Sequence, residues 1–165
     1  MDKLMTWMTD KFAPKVNKIA KNTWVASIQE AILTAMPMVF IGSFATILSI
    51  VKNYWSSFPD FSLLSTFSFG LFSIFLAFLI PQAVMKNKKI AGVEKQAGLA
   101  GVAFFLLVIF PSISADGGNI TFDLNAFGTG GMIAALVSGM FVGLIMSLFS
   151  KLKLIDEDSP IPDFV

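Results

Sequence analysis

Hydrophobic positions along the chain gather into four long runs that contain no Asp, Glu or Lys, at residues 31–51, 61–85, 96–115 and 124–150. The runs hold 21, 25, 20 and 27 residues. Each reaches or exceeds the roughly 20 residues that cross a hydrocarbon layer of about 30 Å at a helical rise of 1.5 Å. The second run carries 14 residues of Leu, Ile, Phe or Val between Phe61 and Val84. Each contributes about −0.3 to −0.6 kcal/mol to insertion near the membrane centre, which outweighs Ser62, Ser65, Ser68 and Ser73. The pattern predicts an all-α integral membrane fold of four transmembrane helices, with a membrane region over residues 26–151.

The first 25 residues follow a different pattern. Met1, Leu4, Met5, Met8 and Phe12 share one helical face, away from Lys3, Asp10 and Lys11. Pro14 interrupts, and Val16, Ile19 and Ala20 resume the apolar face opposite Lys15, Lys18 and Lys21. Such a helix lies in the membrane interface with its lysines and Trp7 at the headgroups; a helix docked on the loops has the same pattern. The polar lead is too long for a signal-peptide n-region, and no small-residue cleavage pattern follows the first run, so removal of this segment is not expected.

Lysine placement sets the orientation. Residues 1–25 contain five, the loop 52–60 one, the loop 86–95 four, the loop 116–123 none and the tail 152–165, with Lys151 just before it, two. Eleven against one is the positive-inside bias of a chain with both termini in the cytoplasm. Trp24 before the first run and Tyr54 and Trp55 after it fit the two interfaces.

Inside the fourth run, Gly131, Ala135, Gly139, Gly143 and Ser147 recur every four residues. Small residues so spaced form a groove that admits a second helix backbone at close range. That helix belongs either to the same chain or to a second copy, and the motif does not choose between them. Pro37, Pro81 and Pro111 lie within or near the ends of the first three runs and favour kinks. Pro37 is the most interior and is the hinge candidate.

Composition narrows the chemistry. The chain is 55% hydrophobic and 14% charged, with a mean hydropathy of +0.76, against about 25% charged residues in a soluble domain. It has no Cys and no His, hence no thiolate nucleophile, no imidazole base and neither residue for a phosphoenzyme. All 12 cations are lysines and the net charge is +1, which argues against a nucleic-acid partner. No metal or cofactor is expected, and no catalytic residue is assigned. Glu30, beside Gln29 at the edge of the first run, is either solvated at the helix start or takes a substrate or gating role. Asp116 and Asp123 around Gly117–Gly118 read as a solvated turn rather than a Ca²⁺ loop. Asn119–Ile120–Thr121 fits a glycosylation sequon of low specificity. The Lys86–Asn87–Lys88–Lys89 stretch anchors its loop inside, and it also suits an acidic cytosolic partner.

The order of features resembles a known family. Ser27–Ile28–Gln29–Glu30–Ala31–Ile32 is followed by Met36–Pro37–Met38–Val39–Phe40–Ile41–Gly42–Ser43–Phe44. Phe127–Gly128–Thr129–Gly130–Gly131–Met132 and Ser159–Pro160–Ile161–Pro162–Asp163 come later. Together they are similar to the membrane permease subunit (IIC) of bacterial phosphotransferase sugar transporters, in the lactose/cellobiose/diacetylchitobiose class. The resemblance implies the N-terminal half of a permease of about ten spans: a scaffold and dimerisation part for an oligosaccharide or disaccharide transporter in the bacterial cell membrane. It implies a homo-oligomer working with a soluble IIB phosphocarrier and a second permease half or full-length permease, and a tail that leads to the missing half. No position matches the family's sugar-binding acid or histidine, so no substrate-binding residue is assigned. Two other readings remain: a non-transporting structural or regulatory membrane protein that oligomerises through the fourth span, and a small pore-former, against which the lack of a polar stripe counts.

Overall fold

The computed structural model describes residues 2–113 and 118–150. Asp116, the two tail lysines, the tail itself and the Ser159–Asp163 stretch fall outside the described residues. The chain begins with α1 (Asp2–Trp7), a π-turn (Met8–Phe12) and α2 (Ala13–Ala20). Next come α3 (Thr23–Tyr54), α4 (Ser62–Ser68), α5 (Phe72–Asn87) and α6 (Glu94–Val108). A two-stranded antiparallel hairpin of β1 (Ser112–Ile113) and β2 (Ile120–Thr121) precedes two 3₁₀ turns and α7 (Met132–Phe149).

Three segments are long and apolar enough to cross a membrane: Thr23–Tyr54, Ser62–Asn87 and Thr129–Phe149, with mean hydropathies of 2.0, 2.2 and 2.3 over their most apolar stretches. Their outer faces carry Leu33, Phe40, Ile47, Phe67, Val137 and Phe141 in the open, a surface that requires an apolar surrounding.

Helix α5 is the axis of the bundle and packs against α3, α6 and α7. Phe72, Leu76, Ala77, Ile80, Val84 and Met85 are all buried along it. Apolar surroundings supply no hydrophobic drive between helices, so the backbones must come close enough for dense contact. Gly101 of α6 shows how close: a Cβ there would stand 2.2 Å from the Ala77 carbonyl oxygen and 2.7 Å from Pro81 Cγ. Pro81 has no N–H to offer that same carbonyl, four residues earlier in its helix. On α7, a Cβ on Gly139 would meet Ile80 at 2.9 Å and one on Gly143 would meet Val84 at 3.1 Å.

The elements depart from the runs at three places. Within 61–85 the helix breaks at Phe69–Leu71, a 3₁₀ turn around Gly70, a residue of poor helix propensity. The third run ends as helix at Val108 within α6, whose fifteen residues begin two before the run and measure about 22 Å. Phe110, whose right-handed helical conformation is crowded by Pro111, turns to φ 49°, and the chain leaves into the hairpin. The fourth run starts with 3₁₀ turns at Leu124–Ala126 and Thr129–Gly131 before α7 proper. Pro14 stops nothing, because it sits in the first turn of α2 directly after the π-turn, where its missing N–H costs no bond.

The Gly101 contact is testable. Gly101→Ala should destabilise the bundle by about 1–3 kcal/mol through overpacking, whereas Ala103→Gly on the exposed face of α6 should cost no more than about 1 kcal/mol of helix propensity. Thermal unfolding in detergent measures both, and equal losses would show that α6 does not approach α5 this closely.

Candidate functional site

Polar side chains collect at one end of the bundle, where the start of α3, the end of α5, the start of α6 and the end of α7 meet. Helix α3 opens with Asn22 as its N-cap, whose side chain accepts from the Trp24 N–H at 3.0 Å. One and two turns further on, Ser27 and Glu30 face the end of α5. Lys86 Nζ donates to Glu30 Oε1. Asn87 Nδ2 donates to Glu30 Oε2 at 2.9 Å and to Ser27 Oγ at 3.1 Å. Lys88 Nζ donates to Ser147 Oγ of α7 at 2.9 Å and lies 4.1 Å from the centre of the Trp24 ring. Three consecutive residues after Met85 therefore fasten α3 and α7 to α5.

The backbone here is shaped for that task. Lys89 takes φ 58°, its N–H donates to Lys86 O at 2.9 Å, and the Ile90 N–H donates to Met85 O at 3.0 Å. This is the Schellman ending of a helix, with a lysine in the left-handed position that glycine usually fills. Ile90 packs back onto the Val84–Met85 cluster. An open cleft of about 500 Å³ lies beside the fastening, with Glu30, Thr34, Gln82, Lys86, Glu94 and Lys95 among its lining residues. It offers hydrogen-bond donors and acceptors of both charges, suited to orienting a hydroxylated or zwitterionic molecule. It holds no nucleophile paired with a base.

At the opposite end, the break between α4 and α5 meets the glycine segment before α7. Freed from its own helix, the Ser73 N–H donates to Phe127 O at 2.8 Å, and Ser73 Oγ donates to Gly128 O. Gly128 lies so near Gly70 that a Cβ on it would stand 3.2 Å from the Gly70 carbonyl oxygen. Beside this junction is a groove of about 480 Å³ whose lining includes Ser65, Thr66, Asn125 and Thr129. Thr46 and Ser65 hydroxyls, 2.9 Å apart, tie α3 to α4 nearby. At the same end Lys52 pairs with Asp60. The hydrogen bond from Lys52, with those from Ser62, holds the Asp60 carboxyl well below the usual carboxylate range.

The residues singled out from the sequence fall as follows. Ala135, Gly139 and Gly143 are buried against α5 of the same chain. Gly131 is buried one turn earlier in the 3₁₀ turn, where a Cβ would stand 1.8 Å from Ala126 O. Pro37 lies exposed within an unbroken α3. Glu30 and Lys86–Lys88 come together, a grouping that sequence separation hides because the partners of the ion pair are 56 positions apart. That Ser27, Ser73 and Asn87 bond across helices was not expected from the pattern, since such pairings carry no periodic signal. Asp123 caps the first 3₁₀ turn by accepting from the Asn125 N–H at 2.9 Å.

Over most of its length the chain is similar to curated bacterial sugar-transport proteins. It is 24% identical over 151 residues to the "PTS system lactose-specific EIICB component" of Lacticaseibacillus casei, covering 84% of this chain and 25% of that protein. It is 22% identical over 163 residues to the protein of the same name from Staphylococcus epidermidis, covering 92% and 27%. With that of Staphylococcus haemolyticus it shares 23% over 164 residues, again 92% and 27%. The chain thus spans about a quarter of the length of the curated relatives it matches. No family model matches it, and no solved structure matches it.

The two polar junctions should differ in weight. Ser73→Ala leaves a buried carbonyl without its partner and should cost about 1–3 kcal/mol. Glu30→Gln removes only a partly exposed ion pair while keeping an acceptor for Asn87, and should cost no more than about 1 kcal/mol. Unfolding of the two variants in detergent ranks them, and the reverse order would place the main staple at the lysine-rich end.

Proposed function

We propose that this chain is the N-terminal part of a phosphotransferase-system sugar permease (IIC) of the lactose/cellobiose class. It acts as a scaffold and dimerisation part of a disaccharide or oligosaccharide transporter in the bacterial cell membrane. The observation that carries this reading is the similarity of 84–92% of the chain to lactose-specific EIICB proteins, joined to three helices of membrane-spanning length. In this reading α6 and its flanking residues complete a fourth span. The lysine-rich loop 86–95 lies in the cytoplasm with both termini, on the side where a IIB domain passes its phosphoryl group to the sugar. A chain with no His and no Cys takes no phosphoryl group on either residue, so its part in transport is positional. The second membrane half and the IIB domain carry the chemistry.

The gathering of the start of α3, the end of α5, the start of α6 and the end of α7 at one end supports alternating helix directions, and the lysine bias supports the choice of that end as cytoplasmic. Because the chain has no native cysteine, single substitutions report orientation without background. In intact cells a membrane-impermeant maleimide should label Ser56→Cys and leave Ala91→Cys unlabelled until the cells are opened. Labelling of Ala91→Cys from outside would overturn the topology.

The functional test is co-expression with a second permease half and a soluble IIB. Disaccharide phosphorylation by that assembly should fall to background when this chain is deleted. Phosphorylation indifferent to the deletion would sink the transporter reading and leave a structural or regulatory membrane protein in its place.

A further inference from the structure

Among the described residues before Lys21, none belongs to the bundle's buried core. Helices α1 and α2, wound together through the π-turn, have α3 as their neighbour across the bend at Lys21–Asn22. Met5, Trp7, Met8, Phe12, Val16 and Ile19 are all exposed, Met5 by 70% and Ile19 by 62%. Soluble segments do not leave six large apolar side chains in a row uncovered.

The π-turn organises these residues into one strip. Trp7 and Phe12 stack with ring centroids 5.8 Å apart. Residues five apart lie about 140° from each other on a straight α-helix, and only π winding brings them to one side. The extra residue in the turn rotates everything after it back by about 100°. Lys15, which straight winding would set among Met8 and Phe12, is carried to the edge of the strip, while Val16 and Ile19 stay on it. Pro14 follows directly, with no N–H to lose to the altered ladder. The polar face is satisfied locally, as where Thr9 Oγ1 donates to Met5 O at 2.9 Å.

Charge and position say what covers the strip. Residues 1–21 hold five lysines against two aspartates. The segment runs straight into α3, a helix of membrane-spanning length, with Trp24 two residues past the bend. Its apolar strip is therefore held at the boundary where α3 enters the bilayer. We infer that residues 2–20 form an interfacial foot that binds an anionic phospholipid surface, with Trp7 and Phe12 sunk into the acyl boundary and the lysines at the phosphates. Partial neutralisation of the headgroups by these lysines strengthens the binding by about fivefold per lysine near the surface.

The test uses the full chain with Trp24→Phe and Trp55→Phe, leaving Trp7 as the reporter. It is reconstituted into vesicles of phosphatidylcholine alone or mixed in equal parts with phosphatidylglycerol, with and without acyl-chain bromination. The expected result is blue-shifted Trp7 emission, quenched by the brominated lipid, with a bound fraction clearly higher in the mixed vesicles. Lys11→Gln and Lys15→Gln should each lower the binding constant about fivefold in the mixed vesicles and leave it unchanged in phosphatidylcholine. Equal quenching in both vesicle types would overturn the anionic preference. Trp7 emission at the wavelength of an indole in water would overturn the foot altogether. A shift that vanishes when protein is diluted in lipid would mean that a second copy covers the strip, and would likewise overturn it. A variant that failed to insert would be recognised by its release from the vesicles in alkaline carbonate, which a chain inserted through α3 resists, so loss of folding is not mistaken for loss of binding.

Discussion

Close backbone approach around α5 is the constraint on which the rest of this structure depends. An apolar helix gains nothing by trading apolar surroundings for an apolar neighbour, so association has to come from contacts denser than lipid chains provide. Gly101, Gly139 and Gly143 on two different helices converge on α5 within distances that exclude a Cβ or strain one, and Ala31 and Ala35 on α3 are buried in the same core. Pro81 belongs to this arrangement. Its ring fills the space that Gly101 vacates, and the carbonyl it leaves unbonded is the one that α6 closes over. A proline that would weaken an isolated helix is thus accommodated where the neighbouring backbone is nearest.

The same surroundings leave no water to repair broken backbone, so every interruption needs a protein partner. The break at Phe69–Leu71 satisfies that demand through Phe127 and Gly128, whose carbonyls take the two donors of Ser73. At the other end of α5 the Schellman turn closes the helix on itself and sends Lys86, Asn87 and Lys88 to α3 and α7. The axis helix is therefore pinned at both ends by polar bonds and gripped along its length by small residues. Its two ends are also where the open cleft and the polar groove lie.

Much of this was readable from residue order, and the failures have physical causes. Runs without charge locate the apolar helices because a charge in hydrocarbon is costly anywhere along them. The four-residue repeat of Ala135, Gly139 and Gly143 announces a packing groove because small side chains on one stripe have no other consequence so regular. It could not name the partner, since α5 presents bulky residues that look like lipid-facing ones. The end of α6 was misplaced because hydropathy continues through Ile109, Phe110 and Pro111 while backbone sterics do not. The break at Gly70 was invisible for a related reason: its repair lies more than fifty residues away, and hydrophobicity does not register who completes a hydrogen bond. The π-turn escaped notice because Pro14 reads as an interruption, when a wider turn just before it lets the winding continue.

These features separate what the chain holds from what it does. Several of its polar residues join helices, as Ser73, Asn87 and Lys88 do, and many of its apolar residues form an exterior that needs a membrane or further protein around it. Glu30 joins helices too while lining the cleft, with both carboxylate oxygens engaged by Lys86 and Asn87 of α5. An acceptor already oriented by two donors on a neighbouring helix is a poor mobile gate but a good fixed reference: a ligand entering the cleft would meet a charge whose direction is set. Such a fixed charge suits the positional role proposed for this chain.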